Sequence, residues 1–145
     1  MEELQGFLAR GQFKSVKMRI GAANGTVANS VARVRAAREG LGNDIAIMCD
    51  ADGTFNVAEA KRFCRKVEDA NIDWLEEPPS SDDFRGLVDI RAATDIPIAT
   101  GERESTRFPF REPSKLRATD VLQPDPAIVA GITELMRIEA IGSAF

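Results

Sequence analysis

Histidine is missing from all 145 residues. That absence excludes Ser-His-Asp and Cys-His catalysis and histidine-ligated zinc within this chain, so its chemistry must use carboxylates, lysine and arginine. Cysteine is nearly absent too: Cys49 and Cys64 are the only two. Neither metal-ligand spacing nor a disulfide framework surrounds them, and both are expected to be core thiols. Positive charge is not in excess. The formal net charge is −4, whereas a phosphate-backbone partner needs clustered Lys and Arg; small molecules are expected as partners, and nucleic acid is not. No long apolar run occurs, and residues 1–10 carry two Glu in their first three positions. Neither a signal peptide nor a membrane span is therefore expected, and the reading is cytoplasmic. Aromatic residues are limited to eight Phe and one Trp, most simply core.

What is present is an alternation of short apolar runs with helical patterns, the signature of repeated strand-helix units and a parallel sheet. A first strand is expected over 13–20, with Val16, Met18 and Ile20 on one face and Lys17 and Arg19 on the other. A helix follows over 26–41, with Val27, Val31 and Val34 inward and Gly42 as its stop. The second strand is expected over 45–49. Asn56 then offers an N-cap with Glu59 three residues on, and Phe63, Cys64 and Val67 form the buried stripe of the next helix. A third strand over 73–75 is closed by Glu76, Glu77, Pro78 and Pro79, because proline cannot continue a ladder. A helix over 84–93, strands over 96–100 and 121–123, and a helix over 131–141 complete the pattern. Between the last two strands Pro109 and Pro113 make the intervening helix short or irregular.

Three of these strands end in a carboxylate, at Asp50, Glu76 and Glu102, and the same 26-residue interval separates each from the next. A strand, a loop and a helix of ordinary length together take roughly 25 residues, so the acids recur once per unit at one height. In a (β/α)8 barrel the strand ends converge on one mouth, which brings such groups within reach of one ion. Three acidic oxygens suit a hard divalent cation, Mg2+ foremost.

Five segments carry a more specific likeness: Val16-Lys17-Met18-Arg19-Ile20-Gly21, Met48-Cys49-Asp50-Ala51-Asp52, Trp74-Leu75-Glu76-Glu77-Pro78, Thr100-Gly101-Glu102-Arg103 and Leu122-Gln123-Pro124-Asp125. In that order they resemble successive strand ends of the mandelate racemase and sugar-acid dehydratase branch of the enolase superfamily. Any one alone is weak; five in register, over nearly the whole chain, are specific. The resemblance implies an α/β fold, an incomplete (β/α)8 TIM-type barrel of about five parallel strands with intervening helices. Residues 1–145 would form a partial barrel domain without the last strands or the family's capping domain. It implies Asp50, Glu76 and Glu102 as Mg2+ ligands, with Lys17 and Arg19 at the two positions of the family's Lys-x-Lys motif.

In that family a carboxylate substrate loses the proton on its adjacent carbon, and magnesium with a cation such as Lys17 stabilises the resulting enediolate. Return of a proton gives racemisation; expulsion of a β-hydroxyl gives dehydration. Two features depart from the pattern. Arg19 stands where the second Lys belongs, and a guanidinium that stays protonated is a poor general base; holding a substrate carboxylate or hydroxyl is its alternative role. Asp125 would orient a His on the following strand, and the sequence reaches only Phe145.

Dehydration of an acid sugar is the expected reaction, because Gly101-Glu102-Arg103 followed by Phe108 and Phe110 looks like the dehydratases and a two-base racemase would need the missing Lys. A racemase or epimerase of a 2-hydroxy acid and a non-catalytic scaffold are the alternatives. Amino-acid and dipeptide epimerases place a Lys where Asp125 stands. Alone, the chain is expected to be inactive; its expected partner is an acid-sugar carboxylate, with a homo-oligomer left open.

Blander readings compete at each position. Asp50-Ala51-Asp52-Gly53 invites a calcium-loop reading, but that loop needs Gly sixth and Glu twelfth, and here Gly is fourth and Lys61 twelfth. Glu77 and Asp52 are read as supporting polar groups, not ligands. Alternating charges such as Lys17 and Arg19 often line a solvated strand face; inside a barrel they would need acidic partners. Arg103, Arg107 and Arg111 are read as surface residues, with contact to an anionic substrate as the alternative, and Asn24-Gly25-Thr26 as a turn.

Overall fold

The computed structural model describes residues 2–11, 13–21 and 25–145. Strands β1 (Ser15–Arg19), β2 (Ala46–Asp50), β3 (Ile72–Glu76), β4 (Ile98–Thr100) and β5 (Val121–Leu122) form one sheet in sequential order, each parallel to the next. Parallel neighbours need crossover connections, and helices supply them: α2 (Val27–Leu41), α3 (Val57–Val67), α4 (Phe84–Arg91) and α5 (Arg111–Leu116), with α6 (Ile132–Gly142) following β5. The sequence pattern anticipates each of these within a few residues. It does not anticipate α1 (Glu2–Arg10), an N-terminal helix whose Phe7 is exposed. Of the turn expected at residues 24–26, Asn24 lies outside the described residues. No helix among the described residues is long and apolar enough to cross a membrane.

Local chemistry explains where the helices start and stop. The Thr26 side chain accepts from the Asn29 N–H to cap α2, and Gly42 ends it at φ 73. Asn56 and Glu59 form the expected capping box on α3, and Asp83 caps α4. Pro113 stands in the first turn of α5, where a missing N–H is tolerated, and the helix runs only six residues. Arg38, near the end of α2, donates to four carbonyls: Gly42 (2.6 Å), Ile45 (2.7 Å), Ala70 (2.8 Å) and Asn71 (2.9 Å). It thereby fastens the loops that enter β2 and β3.

Side chains of alternate parity leave opposite faces of the sheet. Met18, Ile20, Ile47, Cys49, Leu75 and Ile98 join Val34, Phe63, Leu87 and Ile90 from the helices in one large core. Burial pushes the Cys49 thiol up to about 12 and Cys64 to about 11, the core thiols expected. A second, small core gathers Phe110, Val129 and Ile138, with Leu122 against it. There α6 is held to the loop after β4 by Glu134, which accepts from Arg107 and Arg137.

Candidate functional site

The opposite face of the sheet carries the polar residues, because strand register aligns them. Arg19 pairs with Asp50, Asp50 with Glu76 and Glu76 with Ala99, so their side chains leave the sheet on one face at one level. Glu102 follows two residues beyond the end of β4. Asp50 and Glu76 are 4% and 1% exposed, whereas the side chains of Lys17 and Arg19 are about half exposed and reach the acids from β1.

Glu76 is the most fully engaged group. Lys17 Nζ donates to both its oxygens at 2.9 Å, Gln123 Nε2 to Oε2 at 3.2 Å and Trp74 Nε1 to Oε2 at 3.3 Å. Burial pushes its carboxyl up, but these donors outweigh burial and hold it below the usual range. Asp50 sits 3.4 Å from Arg19 Nη1 and 4.0 Å from Lys17 Nζ, and its Oδ1 accepts from the Asp52 N–H at 3.0 Å. Here burial, reinforced by the Glu76 charge, wins and the carboxyl is raised. Glu102 is raised as well, by burial and then by the charges of Asp50, Glu76 and Glu77. The charges of Asp50 and Glu76 thus act on Glu102.

Around them lie groups that sequence reasoning assigned little or nothing. Asp52, with φ 54, accepts from Arg19 Nη1 at 2.8 Å and from Arg103, whose side chain stays half exposed. Glu77, with φ 43, is 1% exposed; its Oε1 accepts from the Thr100 hydroxyl at 2.9 Å and the Gly101 N–H at 2.8 Å. Gln123 and Trp74 were visible only as motif letters, since no local pattern signals an amide reaching a carboxylate 47 positions away. Asp125 is not joined to the cluster: it is exposed, and its Oδ1 caps its own turn by accepting from the Ala127 N–H at 2.8 Å.

Two buried carboxylates, with the partly buried Glu102 in their field, suit a hard cation in charge and donor type. The described side chains do not, however, stand as a finished group of three or more metal-ligating residues. The ammonium of Lys17 lies against Glu76, and Glu102 makes no hydrogen bond among the described residues.

The family described as enolase C-terminal domain-like matches residues 1–145. The chain is 37% identical over 126 residues to the L-talarate/galactarate dehydratase of Salmonella typhimurium, covering 85% of this chain and 30% of that protein. It is 36% identical over 120 residues to the N-succinyl-L-Arg/Lys racemase of Bacillus cereus, covering 82% and 31%. The solved L-talarate dehydratase of Polaromonas sp. JS666, complexed with Mg and L-glucarate, matches with a TM-score of 0.90 at 32% identity, over 97% of this chain and 38% of that one. The open five-stranded α/β sheet is therefore the barrel-type fold expected, and the chain spans about a third of the length of these proteins.

Proposed function

The chain belongs to the enolase C-terminal domain-like family, and on that premise we propose that it forms the metal-binding wall of an enzyme that removes the proton next to a substrate carboxylate. Asp50, Glu76 and Glu102 are the proposed Mg2+ ligands. The observation that carries the reading is the alignment of buried Asp50 and Glu76 in one register, with Glu102 in their field and Lys17 beside them. Magnesium bound there would draw charge from the substrate carboxylate and so acidify the neighbouring C–H.

The chain's own residues divide the remaining work. For an ion to reach Glu76, Lys17 would have to yield one of the two Glu76 oxygens that it now holds. The Lys17 ammonium is then directed at the substrate oxygens on which negative charge develops. Arg19 stays protonated and holds an anionic or hydroxyl oxygen of the substrate, so the proton acceptor is a group other than Arg19. Asp125 is proposed to orient a group from a following strand. Dehydration of an acid sugar is favoured by the likeness to the talarate/galactarate dehydratase and by the loss of a lysine base at position 19. Racemisation is the second reading, supported by the comparable likeness to a racemase.

Trp74 is the chain's one tryptophan and bonds Glu76, so its emission is a natural reporter for the site. Adding Mg2+ should change that emission saturably and raise the unfolding midpoint by mass action, and Glu76→Gln should remove both effects. A cooperatively folded chain indifferent to Mg2+ would rule out the metal reading. In the whole enzyme, loss of water from an acid sugar distinguishes dehydration from solvent exchange of the substrate proton without net loss.

A further inference from the structure

Glu77 is as deeply buried as Glu76, yet it reaches neither Lys17 nor Arg19 among the described contacts. Its backbone sits at φ 43, a conformation a long side chain adopts only at a cost. Its Oε2 is buried without a hydrogen-bond partner, which is a second cost. Strain and an orphaned oxygen on one residue point to a task other than packing.

The bonds of Glu77 identify that task. Its N–H donates to the Ala99 carbonyl at 2.9 Å and its carbonyl accepts from the Gly53 N–H at 2.7 Å. Its Oε1 holds the Thr100 hydroxyl and the Gly101 N–H. One residue thus joins the turn after Asp50 to the turn that presents Glu102. Gly101 itself has φ 122, and a Cβ there would lie 2.6 Å from Phe110 Cε1. The turn is therefore clamped between the Phe110 ring and the Glu77 carboxylate.

We propose that Glu77 is a positioning residue that sets Glu102 relative to Asp50 and Glu76 so that the three can share one cation; the inference rests on the magnesium reading above. The test is calorimetric titration of Mg2+ into the wild-type chain, Glu77→Ala, Glu77→Gln, Thr100→Val and Glu76→Gln, with amide hydrogen exchange at Gly101 followed without metal. Glu77→Ala should weaken Mg2+ binding at least about tenfold, as removal of a group that orients a ligand does, and should speed exchange at Gly101 but not at Ile47. Glu77→Gln keeps an oxygen that can accept both donors and should restore most of the affinity. Thr100→Val removes one donor and should give a smaller loss, and it decides the matter if Glu77→Ala does not fold. Wild-type affinity in folded Glu77→Ala or in Thr100→Val would overturn the positioning role while leaving the metal reading intact. Failure of the wild-type chain to bind Mg2+, with Glu76→Gln no different, would remove both.

Discussion

The units built on β1 to β3 and the unit built on β5 and α6 use the same alternation of strand and helix, but they are held with different firmness. β1, β2 and β3 run five residues each, whereas β4 has three and β5 two. Side-chain caps start α2, α3 and α4; α5 and α6 have none among the described residues. The large core lies under the first units, while α6 leaves Ile132 73% and Met136 59% exposed beside a groove of about 920 Å³ lined by β5 and α6. Alternation specifies the path of the chain; burial and capping decide how firmly each stretch of that path is kept. The candidate site straddles this divide, with Asp50 and Glu76 on the firm side and Gln123 on the looser one.

The largest expected effect breaks the firm side. Phe63 is fully buried and stacks, tilted, on Phe55 at 5.6 Å. Phe63→Ala should cost about 3–5 kcal/mol and lower the urea midpoint of the whole chain. Ile138→Ala, in the small core, should instead speed amide exchange within α6 and leave β2 unchanged. Equal effects on the global midpoint would erase the contrast between the two regions.

A smaller effect is expected from Arg38→Ala, which strips one donor from each of four carbonyls. A loss of roughly 2 kcal/mol should follow, and Arg38→Lys should not restore it, because an ammonium cannot reproduce the fork of a guanidinium. Full recovery by lysine would reduce the role of Arg38 to its charge.

The smallest effect sharpens the comparison through pH. Asp120 accepts from Arg91 at 2.7 Å and from the Ile98 N–H at 2.9 Å, tying β5 to β4 and α4. Burial pushes its carboxyl up, yet Arg91 and the Ile98 N–H hold it below the usual value. A depressed carboxyl stabilises the fold above its unfolded-state value near pH 4 and loses that contribution as pH falls through the lower folded-state value. Exchange protection of β5 should decline over that acid window, and Asp120→Asn should flatten the decline at a cost of about 1 kcal/mol at neutral pH. An unchanged acid limb in Asp120→Asn would assign it to another carboxylate.

The parts legible in the sequence were those with a short-range period. Val16, Met18 and Ile20 against Lys17 and Arg19 predicted the faces of β1, and the Asn56–Glu59 pair predicted the start of α3. The recurrence of Asp50, Glu76 and Glu102 reflects register only in part: Asp50 and Glu76 are paired residues of adjacent strands, whereas the partner of Glu76 on β4 is Ala99 and Glu102 lies three residues further on, past the strand end. Contacts made across the fold were illegible for a physical reason: the reach of Gln123 to Glu76 and of Arg103 to Asp52 depends on sheet curvature and loop path, which no local spacing encodes. Asp125 shows the converse, because an aspartate in a turn has a local use in capping N–H groups.

The bonds of Arg38 all lie where β2 and β3 begin, whereas Asp50 and Glu76 stand where the same strands end. Strands of five residues keep these two sets of groups roughly 15 Å apart. Heritable change can therefore act on them separately: a lineage can revise what the exit loops recognise without loosening the entry ends, and repair of a weakened scaffold need not disturb an acquired specificity.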